Sequence, residues 1–191
     1  IEAAVDAARK AGQAVAIQHD FGHNGKRLIT VYGHMDRIDV IPRQRVKMGD
    51  ALGIVGNTGM TTGPHLHFEV RLQADDYYFT RNPELWLAPP QGSGVLLGRV
   101  FNTNGSILDG QMVVVTSQAT GRRWEVLSYA GRLVFADDYY RENLVLSDLP
   151  AGRYTLTIDY LGDRFAYGVD ISPGAITSFS FRGTEGFSTQ P

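Results

Sequence analysis

The chain of 191 residues contains no cysteine, and this absence excludes disulfide bonds and thiolate chemistry. No apolar run approaches the roughly 18 residues that a membrane-spanning helix needs. Charge of neither sign dominates, because the net charge is −2, so nothing global indicates binding to nucleic acid or to an anionic membrane. The hydrophobic content of 43 % and the charged content of 20 % are typical of a folded protein.

Histidine and lysine are missing from residues 91–191, and this change in composition indicates two domains. The stretch "LAPPQGSG" at 87–94 lies near the change, and its proline and glycine residues interrupt regular structure. We therefore predict a first domain at 1–88, a linker at 89–94, a second domain at 95–183 and a flexible tail at 184–191.

Short β-branched or alternating segments recur along both predicted domains. Examples are "RLITVYGHM" and "HLHFEVRL" in the first and "QMVVVTSQ" and "RYTLTIDYL" in the second. Glycine-rich turns separate them, which is typical of β-strands. The segment "EAAVDAARKAG" is ambiguous, because it favours helix by composition but also fits the end of a strand followed by a loop. The pattern predicts a mainly β protein.

Two histidines flank Leu66 in "GPHLHFEV", directly after the Gly- and Thr-rich run 56–63. In a strand, side chains at i and i+2 point to the same face, so His65 and His67 would project together. Such a pair fits a metal or proton-transfer site, but a bare pair also fits two polar residues on a half-exposed sheet. Glu69 would share this face, either supporting a site or as an ordinary solvated carboxylate, and the second interpretation is favoured.

A third histidine, His34, lies in the segment "YGHM" at 32–35, at the end of another predicted strand. Together, "YGHM", "GNTGMTTGPHLHFEV" and "NPELWL", in this order, resemble the lysostaphin-type (LytM-type) zinc metallopeptidases, which cut peptide bonds in bacterial peptidoglycan. The resemblance spans about residues 13 to 87 and implies an antiparallel sheet domain. It also implies that His67 is a zinc ligand. His65 and His34 match the catalytic histidines, which assist the attacking water or the oxyanion.

A catalytic zinc normally needs three protein ligands. In the family the other two, a histidine and an aspartate, come from a motif upstream of the strand with which this chain begins. Nothing in the sequence matches that motif, so Zn²⁺ is expected only if such a segment precedes Ile1. A rearranged site drawing on His19, His23 or Asp36 receives little weight, because the geometry of the turn between the two histidines cannot be read from the sequence.

In the second half, "GRVFNTNGSILDG" and "LPAGRYTLTI" resemble the carboxypeptidase-regulatory-like (transthyretin-like) domains over about residues 95 to 182. This resemblance implies a small antiparallel β-sandwich that serves as a spacer or binding module without catalysis. The whole chain is thus expected to be a lysostaphin-type antiparallel sheet domain followed by that sandwich.

Two functions follow from these resemblances. The first is an exported zinc metalloendopeptidase that cleaves peptide crosslinks of peptidoglycan, with the chain as it stands inactive without its other ligands. The alternative is a catalytically inactive peptidase-like domain acting as a structural, self-assembling or cell-wall-binding extracellular protein. A missing segment would leave a sheet edge unpaired, which predicts a homo-oligomer or strand donation from a cleaved N-terminal segment or a neighbouring copy. The expected partners are peptidoglycan peptides, with no nucleic acid and no transmembrane segment. The expected location is extracellular or in the cell envelope, which suits a chain without cysteine.

Overall fold

The computed structural model describes residues 2–6, 11–131 and 135–188. The chain divides into two compact units, Ile1–Pro83 and Glu84–Pro191. Strands dominate both units, so the prediction of a mainly β fold is confirmed. The helical elements in the described ranges are one-turn 3₁₀ helices at Tyr77–Phe79, Pro83–Leu85 and Gly183–Glu185. Within the same ranges, no helix has the length and apolarity to cross a membrane.

The first unit is built on one sheet of seven strands. The strands are β1 Glu2–Asp6, β2 Gln13–His23, β3 Lys26–Ile38, β4 Gln44–Arg45, β5 Gly53–Val55, β6 His67–Leu72 and β7 Thr80–Arg81. Their order in the sheet is β4-β1-β2-β3-β6-β7, with β5 also paired to β3. All of these pairings are antiparallel, as expected from the sequence.

The ambiguous first segment of the chain begins as a strand. β1 pairs along its whole length with β2, from Glu2 opposite Gln18 to Asp6 opposite Ala14. Residues 7–10, the remainder of the helix-like composition, lie outside the described residues. Since β2 is a strand of 11 residues, it offers β1 a complete ladder of backbone hydrogen bonds, which outweighs the helix propensity of the alanines.

The seven-stranded sheet buries apolar side chains on both faces, which explains why β3 is nearly continuously buried. One face carries the cluster Ala11, Ala14, Ala16, Ile29 and Val31. The other face carries Val15, Ile17, Met35, Val40 and Val46. Because Val31 pairs with Glu69 and Gly33 with His67, alternation along β6 places His67 and Glu69 on the Val31 face.

The second unit consists of two four-stranded sheets. Its strands are β8 Ser93–Phe101, β9 Met112–Ser117, β10 Arg123–Leu127, β11 Leu144–Pro150, β12 Gly152–Tyr160, β13 Asp163–Ile171, β14 Ile176–Arg182 and β15 Gly186–Ser188. The sheet orders are β10-β9-β12-β13 and β11-β8-β14-β15. Residues from both sheets, including Leu96, Leu156 and Phe181, form one buried cluster. The pairing of β8 with β14 is parallel, so this unit is not wholly antiparallel. Its resemblance to carboxypeptidase-regulatory-like domains stays a prediction.

A carboxylate is buried inside the second unit. Glu142 is 1 % exposed and accepts hydrogen bonds from the Tyr129 hydroxyl at 2.7 Å and from the Asp137 backbone amide at 3.0 Å. Burial raises the pKa of the Glu142 carboxyl above its ordinary value, although these two hydrogen bonds act in the opposite direction. The Glu142 carboxylate therefore holds the loop before β11 in place through these hydrogen bonds, although burying its charge is electrostatically unfavourable.

The two ends of the second unit differ in how they match the sequence-based boundaries. The Pro- and Gly-rich stretch 89–94 leads directly into β8, which begins at Ser93. Residues 184–188, expected as part of a flexible tail, instead end a 3₁₀ helix and form β15, which pairs with β14. The physical reason is Phe187, whose ring packs against Phe179 and Phe181. Residues 189–191 lie outside the described residues.

Candidate active site

The structure brings His34, His65 and His67 together, and we call them the histidine trio. The ring centroid of His34 lies 4.7 Å from that of His65 and 5.1 Å from that of His67. The expectation that the pair of "HLH" projects together from one strand was wrong in its local detail. β6 begins only at His67, and His65 lies in the preceding loop. What unites the two side chains is their common contact with His34.

His67 is held in one tautomer by its own strand. Its Nε2–H donates to the Glu69 carboxylate at 2.7 Å, since a carboxylate can only accept. In a neutral imidazole the Nδ1 lone pair is then available as a ligand or acceptor. This arrangement, a ligating imidazole with its second nitrogen bonded to a carboxylate, is the usual support of a metal-binding histidine.

Glu69 is not the solvated carboxylate that the sequence favoured. Its side chain is only 12 % exposed and also accepts from Arg71 Nε at 2.8 Å. Arg71 in turn forms an ion pair with Asp75. Burial by itself raises the pKa of the Glu69 carboxyl, but the hydrogen bonds from His67 and Arg71 outweigh burial and lower that pKa. Glu69 therefore stays ionised and fixes the His67 ring.

His34 reaches the site through an unusual backbone conformation. Its φ is +58°, a left-handed conformation that costs a non-glycine residue roughly 1–3 kcal/mol. It lies where β3 exchanges partners, since Gly33 pairs with His67 of β6 and Met35 pairs with Val55 of β5. The side chain is buried at 4 % exposure. Its Nδ1–H donates to the Thr58 carbonyl at 2.8 Å, which leaves Nε2 as the lone-pair nitrogen.

His65 is exposed but also oriented. Its Nδ1–H donates to the Gly63 carbonyl at 2.8 Å, and Thr61 Oγ1 lies 3.1 Å from the same nitrogen. Its backbone amide donates to the Gly56 carbonyl at 3.3 Å. The loop folds back on itself through these bonds, so that Nε2 of His65 is the free nitrogen. Each ring of the trio thus has one nitrogen that is hydrogen-bonded within the described residues and a second nitrogen that can bind a metal ion or accept a proton.

The Gly- and Thr-rich residues 56–66, which we call the Thr58 loop, are tied to the sheet at Thr58. Its Oγ1 donates to the Met35 carbonyl at 2.8 Å and accepts from the Gln13 backbone amide at 3.0 Å. Close approach requires glycine at two places. A Cβ at Gly12 would lie 2.4 Å from the Thr58 carbonyl carbon, and one at Gly56 would lie 2.4 Å from the Asp36 amide nitrogen. The composition of the loop therefore serves to position the trio.

Tyr77 is a neighbour of the site that sequence reasoning missed. Burial raises the pKa of its hydroxyl, and the negative charge of Glu69 adds to this effect. In the "DDYY" segment, Asp75 pairs with Arg71, and Asp76 caps the 3₁₀ helix by accepting from the Tyr78 amide at 2.9 Å. The signal available in the sequence was the spacing of Arg71 and Asp75, which fits an ion pair across a turn.

The described residues supply only part of a metal site. In residues 2–6, 11–131 and 135–188 no group of three or more His, Cys, Asp or Glu side chains is placed to hold a metal ion. A catalytic zinc normally has three protein ligands, which is more than the described residues bring together. These residues alone therefore do not fit a catalytic zinc. Two of the three alternative ligands are engaged elsewhere: His19 Nε2 bonds Thr30 Oγ1 at 3.0 Å, and His23 Nε2 bonds Asn24 at 3.1 Å.

Comparisons with known proteins agree with the geometry of the first unit. Residues 2–78 match Peptidase family M23. Over 63 residues the chain is 46 % identical to an uncharacterized metalloprotease of Buchnera aphidicola. This alignment covers 33 % of this chain and 15 % of that protein. Over 60 residues it is 45 % identical to the peptidoglycan DD-endopeptidase ShyA of Vibrio cholerae. This second alignment covers 31 % of this chain and 13 % of that protein. The chain thus aligns with about one seventh of the length of these relatives.

Among solved structures, LytU matches 44 % of this chain and 59 % of its own chain at 30 % sequence identity and a TM-score of 0.38. The family match ends at residue 78 and so does not include the second unit. Residues 2–78 of this chain thus form a domain that matches Peptidase family M23, the LytM-type metallopeptidases.

Proposed function

We propose that the M23 domain belongs to an exported zinc endopeptidase that cleaves peptide crosslinks of bacterial peptidoglycan. The observation that carries the proposal is the histidine trio, in which three rings meet and each keeps one nitrogen free of protein hydrogen bonds within the described residues. The alignment with a peptidoglycan DD-endopeptidase supports the substrate class. The protein would act outside the cell or in the cell envelope, where that substrate lies.

The chemistry assigned to the trio follows from its tautomers. A neutral imidazole whose Nδ1–H is committed to a carbonyl presents the Nε2 lone pair to a proton donor. After it takes that proton, Nε2–H becomes a charged donor that stabilises a developing oxyanion. His34 and His65 both have this form. One of them would accept the proton of the attacking water, and the imidazolium so formed would donate Nε2–H to the carbonyl oxygen of the cleaved peptide as it becomes an oxyanion.

Zn²⁺ is expected only where a histidine and an aspartate from outside the described residues join His67. When bound, it would polarise the peptide carbonyl and lower the pKa of water. The contribution of this chain is the Nδ1 atom of His67, which Glu69 keeps unprotonated. Because Arg71, itself paired with Asp75, holds Glu69 in turn, the orientation of the His67 ring is set by the protein alone.

The test of this function is digestion of purified peptidoglycan sacculi by the native full-length protein, with released fragments identified by mass spectrometry and zinc content measured in parallel. We expect cleavage of peptide crosslinks, its loss in His65→Ala with zinc retained, and loss of both cleavage and zinc in His67→Ala. His23→Ala is the matched control and should remain active. Zinc stoichiometry unchanged in His67→Ala would overturn the assignment of the ligand.

A second function is favoured by the incomplete ligand set in the described residues. Under this hypothesis the domain is catalytically inactive and acts as a structural extracellular protein that binds peptidoglycan peptides or assembles with copies of itself. One edge supports assembly: β4 pairs with β1 only at Glu2 and Ala3, so a strand donated by another segment or copy could extend this ladder. Sacculi that bind the native protein without releasing fragments, together with a multimer that persists on dilution in light scattering, would select this function over hydrolysis.

A further inference from the structure

A second polar site lies in the second unit, far along the sequence from the histidine trio. A cleft of about 410 Å³ is lined by side chains of β8, β14 and β15 and by Glu185. Its polar lining consists of two arginines, Arg99 and Arg182, two serines, Ser180 and Ser188, and Glu185. We call this cleft the arginine groove.

Strand register explains why the two arginines share one face. In the parallel pair, Ser180 lies opposite Arg99 and Arg182 lies opposite Phe101. Phe181, between the two β14 residues, points into the apolar core, so its neighbours Ser180 and Arg182 point to the other face. Two residues of rise and one strand spacing separate the Cα atoms of the two arginines by about 8 Å. Side chains of that length can converge on a single small ligand.

Both guanidinium groups lack a partner within the described residues. Neither Arg99 nor Arg182 makes a hydrogen bond or an ion pair there. Arginines on the other sheet behave differently, since Arg164 binds Asp159 at 2.7 Å and Arg153 binds Asp170 at 3.3 Å. Two neighbouring guanidinium groups repel each other, and an anion held between them would relieve that repulsion through charge-assisted hydrogen bonds.

The remaining lining fits an oxyanion. Hydroxyl groups of Ser180 and Ser188, which are opposite each other in the β14–β15 pair, can each donate a hydrogen bond to an anionic oxygen. Phe101 and Phe187 also line the groove, and apolar surface beside a charge strengthens its interactions by excluding water. We infer that the arginine groove binds a ligand bearing an oxyanion, a carboxylate or a phosphate, held between Arg99 and Arg182.

Glu185 provides a test of the sign of the interaction. Its carboxylate lines the same groove and has no hydrogen bond or ion pair within the described residues. It would repel an anion, so a variant that removes its charge should bind an oxyanion more tightly. This prediction separates a specific site from mere surface attraction to arginine.

The experiment is NMR titration of the 191-residue protein, observed through the arginine side-chain Nε–Hε resonances, with inorganic phosphate in one arm and succinate in the other at constant ionic strength. Saturable shifts confined to Arg99 and Arg182 are expected, and the arm with the tighter binding identifies the class of oxyanion. Arg182→Ala should weaken binding about tenfold or more, as expected for loss of charged hydrogen bonds. Glu185→Gln should strengthen it about twofold to fivefold.

Arg153→Ala is the matched control, because this exposed arginine lies on the other sheet and should not change the affinity. Arg99→Lys keeps the charge, so it distinguishes bidentate binding, which it weakens, from simple charge attraction, which it preserves. Shifts that do not saturate, or that are equal at Arg153 and Arg182, would overturn the proposal. Weaker binding by Glu185→Gln would also overturn it, since an anion between the two arginines requires the opposite sign.

Discussion

Substitution of Thr58 by valine tests whether the Thr58 loop is fixed to the sheet by one hydroxyl group. The change keeps the shape of the side chain and removes Oγ1, which bonds the Met35 carbonyl at 2.8 Å and the Gln13 amide at 3.0 Å. Each such hydrogen bond contributes about 0.5–1.5 kcal/mol net, so Thr58→Val should lower the free energy of unfolding of the first unit by roughly 1–3 kcal/mol.

Resonance-resolved urea unfolding is the appropriate assay, because the chain has two units and a single global probe would mix them. Amide resonances of β3 and β6 report the first unit. Both tryptophans, Trp86 and Trp124, lie in the second unit, so their fluorescence is an internal control. With a slope of about 2 kcal/mol per molar urea, a loss of about 2 kcal/mol lowers the midpoint of the first unit by about 1 M.

Thr62→Val is the matched control for this prediction. Thr62 lies in the same loop, is exposed and makes no hydrogen bond within the described residues, so its loss should change stability by less than about 0.5 kcal/mol. Equal midpoints for the two valine variants would refute the argument that the hydroxyl of Thr58 anchors the loop. A shift of the tryptophan transition would instead show that the effect is not local to the first unit.

Three further predictions concern backbone approach, buried charge and the ligand environment. Gly12→Ala should destabilise the first unit by more than Gly25→Ala in the same unfolding assay, because both glycines have positive φ but only Gly12 would bring a Cβ within 2.4 Å of Thr58. Burial raises the pKa of Glu142, so the folded state binds its proton more tightly than the unfolded state, and stability falls as pH rises above the ordinary carboxyl pKa. Glu142→Gln should flatten this fall in tryptophan-monitored unfolding between about pH 4 and pH 7, and an unchanged slope would contradict it. Glu69→Ala should weaken zinc binding by the native full-length protein about 10-fold to 100-fold, measured by competition with a chelator, whereas unchanged affinity would exclude a supporting role.

The sequence predicted the strands and singled out the three histidines, but it did not predict how their rings come into contact. Alternation correctly placed Glu69 on the same side as His67, because a regular strand has a period of two residues. It could not place His65, which precedes the strand, or His34, whose side chain enters the site through a left-handed backbone. That conformation depends on β3 exchanging one neighbour for another, which is a property of the whole sheet.

The environment of Glu69 shows a second limit of sequence reasoning. A glutamate on a half-exposed strand is solvated in most proteins, and the sequence favoured that outcome. The structure surrounds it instead with His67 and Arg71, and Arg71 is itself buried at 9 % exposure. Burial of a charged pair depends on segments far apart in the chain, so a local pattern could not predict it. The same reasoning applies to Phe187, whose packing turned an expected tail into a strand.

The most direct test of the account is a long-range ¹H–¹⁵N correlation spectrum of the histidine side chains at neutral pH, which distinguishes the two neutral tautomers of each ring. The structure predicts the Nδ1–H form for His34 and His65 and the Nε2–H form for His67. Observation of these three tautomers would show that each ring keeps its reactive nitrogen free. An Nδ1–H tautomer at His67 would contradict the account, because the nitrogen assigned to the metal would then carry a proton.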